Sequence, residues 1–204
     1  MVLAMKVPGS IPGLFRQIAQ FTIRRSSSPL FFDNVTIENA MAEEEVRNQH
    51  LIGYDLHRAG WAGVSFRAEK ERLSFAVSYL HDSLGDLARM ALSLHKGAVT
   101  AEAVFMDEPG EVILATSGTK DVLQFELREY RDWANWGMMA LDDHKVVARG
   151  EIARDALVRN IHAILERIYL EVGLARYREL WVGHEFPLQD YERLSIALHK
   201  RALI

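Results

Sequence analysis

The chain has 204 residues, 49% of them hydrophobic and 25% charged, with a formal net charge of −4 and a pI near 6.1. That length and balance suit a globular domain with its own core, while the negative charge offers no overall field to gather phosphates, so a nucleic-acid partner loses its simplest electrostatic support. The absence of cysteine excludes disulfide scaffolds, Cys-based zinc sites and thiol catalysis and is compatible with a reducing cytoplasm. Charges punctuate every apolar stretch from Arg67 onward, so no membrane-spanning helix is expected.

Residues 1–40 differ in character from the rest, carrying Lys6, Arg16, Arg24 and Arg25 against only Asp33 and Glu38. Three readings compete: an Arg- and Ser-bearing, acid-poor targeting segment, an amphipathic extension over 14–23, or a start assigned upstream of a natural Met41 that opens "MAEEEVRNQH". The break in composition falls on a methionine, which favours the third. The expected organisation is an N-terminal extension over 1–40 that contributes little to the fold, followed by a single domain over 41–204.

Within that domain "WAGVSFRAEKERLSFAVSYLHDS" alternates twice, first at Val64, Phe66 and Ala68, then at Leu73, Phe75, Val77 and Tyr79, which predicts two antiparallel strands joined at the charged "EKER". The period then changes. "SLGDLARMALSLHKG" sets Leu84, Leu87, Met90, Ala91 and Leu94 on one helical stripe, with Ser83 as the expected N-cap and Gly97 beyond the C-terminal end. Strands are expected over 99–106, 111–117, 121–131 and 145–152, the third marked by Leu123, Phe125 and Leu127 alternating with polar residues. Leu157, Val158, Ile161, Ile164, Leu165, Ile168 and Val172 predict a long helix stopped by Gly173, followed by a short helix in "LARYRELW" and a last one after Pro187. Strands first and helices afterwards imply an α+β fold, with a mostly antiparallel sheet of about six strands and helices covering one face.

Gly-x-Ser-x-Gly, Gly-x-Gly-x-x-Gly, the phosphate-binding loop and His-Glu-x-x-His are all absent. The "DDHK" of Asp142, Asp143 and His144 reads as a solvated turn rather than a metal site, and His81 with Asp82 sits where a strand ends and a helix is capped. No metal or cofactor is expected. In "FMDEPGE", the Pro109-Gly110 pair suits a type II turn with positive φ at the glycine; Asp107, Glu108 and Glu111 then flank a bend, and a functional Asp107 would belong to an acidic rim. Arg154, Arg159, Arg167, Arg176 and Arg178 alternate with acidic residues, as on a solvated, ion-paired helix face.

The strings "SLGDLARMALSL", "FMDEPGE" and "YRELWVGHEFPLQDYERL" together resemble a group of small uncharacterised bacterial α+β proteins, over about residues 62 to 198. The resemblance carries no activity with it, and a bacterial origin would favour the Met41 start over a targeting segment.

One connection has unusual content. Between Tyr130 and Lys145, Trp133, Trp136, Met138 and Met139 offer large apolar area, and Asp132, Asp142 and Asp143 give it charged edges, the composition of an interface core with a polar rim. The bland alternative is that these side chains fold back over the core. With no catalytic motif in view, the leading reading is a non-enzymatic protein-interaction module in the cytoplasm, immunity- or antitoxin-like, contacting a basic protein or a second copy of itself through Trp133, Trp136, Met138, Met139, Asp107 and Glu108. An enzyme or small-ligand binder whose site assembles only in three dimensions is the alternative.

Overall fold

The computed structural model describes residues 51–68, 71–119 and 121–201; the extension over 1–40 and the start at Met41 lie outside the described residues. Strand β1 (Ile52–Leu56), β2 (Trp61–Ala68) and β3 (Glu71–Ser78) are followed by helix α1 (Ser83–His95), and then by β4 (Thr100–Met106), β5 (Glu111–Ser117), β6 (Val122–Tyr130) and β7 (Lys145–Ala153). Helix α2 (Arg154–Arg167) runs into a π turn (Ile168–Val172), then α3 (Leu174–Leu180) and α4 (Leu188–Arg201). The fold is α+β, as the periodicities predict, and every strand pairing is antiparallel.

The strands form two sheets, ordered β1-β2-β3 and β4-β5-β6-β7, where a single sheet of about six strands is the sequence expectation. The added strand is β1, "IGYDL", in which Gly53 and Asp55 blur any alternation. Its outer edge is completed from far along the chain. The Asn160 side chain accepts from the Ile52 N–H at 2.9 Å through Oδ1 and donates to the Ile52 carbonyl at 3.0 Å through Nδ2, so one amide stands in for a neighbouring strand. On the second sheet Asp86 plays a related part at the edge of β4, its Oδ2 accepting from the Val104 N–H at 3.1 Å.

Alternation along β2 and β6 sends Val64 and Phe66, and Leu123, Phe125 and Leu127, into one core shared with Leu84, Leu87 and Leu94 of α1 and with Leu157, Ile161 and Leu165 of α2. Phe66 and Phe105 meet edge to face at 5.4 Å, joining the two sheets. The opposite face of the second sheet carries a smaller cluster of Val104, Ile113, Tyr130 and Ala134, with Met139 packed against it. No described helix is long and apolar enough to cross a membrane.

Helix α1 is capped by Asp82, not by Ser83: the Asp82 Oδ1 accepts from the Gly85 N–H at 3.0 Å, while the buried Ser83 hydroxyl turns inward to the Tyr54 hydroxyl at 2.9 Å. At the other end of α1, the half-buried Arg154 donates to the carbonyls of Leu94 (3.1 Å) and Ala98 (2.7 Å) and, across the sheet end, to that of Gly118 (2.9 Å). One guanidinium therefore caps a helix and fastens two turns.

The β4-β5 hairpin corrects the type II expectation. The Asp107 N–H donates to the Gly110 carbonyl at 2.8 Å, so the bend is closed across residues 107 and 110, one residue out of the predicted frame, and the Glu108-Pro109 bond within it is cis. Gly110 keeps the positive φ, at 108°, and a Cβ there would lie 2.6 Å from the Tyr130 carbonyl oxygen. Gly110→Val is accordingly expected to lower stability by at least about 2 kcal/mol in thermal melts, whereas Asp107→Asn, which keeps the oxygen bonded to the Glu108 N–H at 2.7 Å, should be nearly silent.

Candidate docking surface

Cross-strand register places Met106, Glu111 and Tyr130 in one row on the outer face of the second sheet, then Val104, Ile113 and Arg128 in the next. Two further rows follow, Glu102 with Ala115 and Glu126, then Thr100 with Ser117 and Gln124. The connection 131–144 folds back over the first two rows. The last two stay open as a polar trough of about 280 Å³, in which Arg128 pairs with Glu126 at 2.9 Å and approaches Glu102 at 3.6 Å.

Backbone and side-chain bonds tie the connection down at several points. The indole Nε1 of Trp133 donates to the Asp107 carbonyl at 2.9 Å, the Asn135 N–H to Glu111 Oε1 at 2.7 Å, and the Tyr130 hydroxyl to the Leu141 carbonyl at 3.0 Å. Inside it, Asp132 accepts from the Trp133 N–H at 2.8 Å, and a 3-10 turn at Ala134–Trp136 ends on Gly137 with φ 75°. The two indoles meet edge to face at 5.0 Å.

The residues singled out from composition divide here. Trp133 is half-buried between the hairpin and Trp136, and Met139 packs on the Val104-Ile113-Tyr130-Ala134 cluster. Trp136 and Met138 stay 49% and 61% exposed, and Leu141, which composition did not single out, is 64% exposed. Folding back and presentation to solvent thus occur in the same segment: Trp133 and Met139 anchor it, while Trp136, Met138 and Leu141 project. Glu108 is exposed in the hairpin, and the half-buried Asp107 has its carbonyl taken by Trp133.

The three carboxylates of the hairpin do not converge. Glu111 departs from the picture of hydrated acids around a bend, because it is only 1% exposed. One of its oxygens accepts from the Asn135 N–H and the other, Oε2, has no partner. Burial pushes its carboxyl above the usual range, the bond from the Asn135 N–H and the charge of His81 oppose that, and the charge of Asp132 adds to it.

His81 pairs with Asp86 at 2.6 Å, not with Asp82, and Asp86 also accepts from Arg89 at 2.6 Å. Burial alone would raise the Asp86 carboxyl, but the bonds from His81 and Arg89 outweigh it and hold the group below its ordinary value. In "DDHK", Asp143 pairs with Arg131 at 3.3 Å and His144 bonds the Leu141 carbonyl at 3.0 Å, its ring tilted against that of Tyr130 at 5.4 Å. Among the described residues no group of three or more metal-ligating side chains gathers. Of the arginines of the helical third, Arg159 pairs with Asp155, Arg176 with Glu179 and Arg178 with Glu185 nearby in the chain, while Arg167 reaches back to Asp55 of β1.

No protein-family model matches the chain, and no curated protein does either. Among solved structures it is similar to a chain of a "CdiA-CT/CdiI toxin and immunity complex from Enterobacter cloacae", at 6% identity and a TM-score of 0.37, over 56% of this chain and 99% of that one.

Proposed function

We propose that the protein is a non-enzymatic docking module whose contact surface is the connection 131–144 on the outer face of the second sheet. The observation that carries this reading is the presentation of Trp136, Met138 and Leu141, 49–64% exposed, on a segment pinned to Asp107, Glu111 and Tyr130. Large apolar side chains held in place on a bonded loop give a partner contact area at low ordering cost. The same segment carries Asp132, Asp142 and Asp143 against the single basic Arg131, and Glu108 is exposed in the hairpin to which Trp133 bonds, so the partner that fits is a protein with an apolar projection and a basic surround. An immunity- or antitoxin-like role against a basic toxin, in a bacterial cytoplasm, is the narrower form of the same reading.

The test uses a protein captured from the host on immobilised chain and then titrated against variants. Trp136→Ala is expected to weaken binding by about 2 kcal/mol, roughly thirtyfold, with the melting temperature nearly unchanged. Binding that survives the substitution, or a melt that collapses with it, would return the segment to a purely structural role. Sedimentation of the two proteins alone checks whether the partner is a second copy.

A further inference from the structure

Beneath the docking segment lies a group that hairpin chemistry does not require. Glu111 opens β5, opposite Met106 on one side and Tyr130 on the other, and its carboxyl is shut away from water by the connection that passes over it. A buried carboxyl with one bonded oxygen and one unpartnered oxygen is held there against a desolvation penalty that is far larger when it is charged than when it is neutral. A structural anchor for the Asn135 N–H would serve as well with a neutral amide.

We propose that Glu111 is a proton-operated latch on the docking segment: with the carboxyl neutral, Ala134 and Asn135 stay seated over it, and ionisation draws the carboxylate toward water and loosens them. Of the groups facing it, the Asn135 N–H and His81, from the connection between β3 and α1, favour the charged form, Asp132 of the segment opposes it, and the loss of water around the buried carboxyl outweighs the first two; the Asn135 N–H is the contact made or released. The sign follows from linkage. The seated state binds the proton more tightly than a lifted state in which the carboxyl is hydrated, so seating is strongest below the ordinary glutamate range and weakens as pH rises through the raised one.

The latch concerns the regulation of the surface assigned above and rests on that assignment for its purpose, but its test needs no partner, so the two can fail separately. Amide hydrogen exchange at Asn135, corrected for the intrinsic pH dependence, is measured on the free chain from about pH 4 to about pH 8. In the wild type protection is expected to fall several-fold through a single-proton transition, and in Glu111→Gln the transition should vanish. Should that variant not fold, Asp132→Asn provides the second arm: it retains an oxygen for the Trp133 N–H, removes a charge that disfavours ionisation, and should move the transition to lower pH. Flat protection in the wild type, an unchanged transition in Glu111→Gln, or one unmoved by Asp132→Asn would overturn the latch.

Discussion

Asn160→Leu is expected to cost about 2–5 kcal/mol, because it strands a buried N–H and a buried C=O at once. Ile52 is 1% exposed and bonds both its backbone groups to the Asn160 amide. Leucine has similar volume and suits the surrounding stripe of Leu157, Ile161 and Ile164, so packing should be largely preserved and the loss should report the hydrogen bonds. For a domain of this size the change corresponds to a fall in Tm of roughly 5–15 °C. A melt within a degree or two of the wild type would mean that β1 is not held by this amide.

The second large effect is expected at Arg154. Replacing it with methionine keeps the aliphatic stem but removes the donors to Leu94, Ala98 and Gly118, which unfastens the end of α1 from the start of α2. A loss of about 2–3 kcal/mol is expected, less than the sum of three charge-assisted bonds because the half-buried Ala98 and Gly118 can regain water and the buried Leu94 carbonyl keeps the Gly97 N–H at 3.0 Å. Arg154→Lys should recover only part of it, since one ammonium lacks the planar fork that reaches three separate acceptors. Denaturant titration gives the check: the midpoint should fall in the order wild type, lysine, methionine with an unchanged slope.

These two residues also mark where sequence reasoning stops. Leu123, Phe125 and Leu127 announce β6 because alternation is a local signal, and the stripe from Leu84 to Leu94 announces α1 for the same reason. Strand β1 has no such signal, and the amide that completes it lies 108 residues further on. A buried polar residue at position 160, inside an otherwise apolar stripe, was the one available clue. The connection 131–144 shows the same division. Its aromatic and methionine content is visible in the sequence, but the sorting of Trp133 inward and Trp136 outward depends on the Asp107 carbonyl, 26 residues away. The burial of Glu111 was beyond reach, since it follows from a roof supplied by Ala134 and Asn135 rather than from any pattern within β5.

The side chains that close the sheet edges restrict how this protein can meet another. A bare strand edge invites strand addition, the growth of one sheet into the next through main-chain bonds, which is also the route to uncontrolled aggregation. At β1 the donor and acceptor of Ile52 are already occupied by Asn160, and at β4 the donor of Val104 is occupied by Asp86. A strand arriving at either position would have to displace a helix-borne side chain before making its first bond. Another protein meeting these edges is thereby denied generic backbone pairing at these positions and left with side chains, where the identity of each residue can discriminate one contact from another.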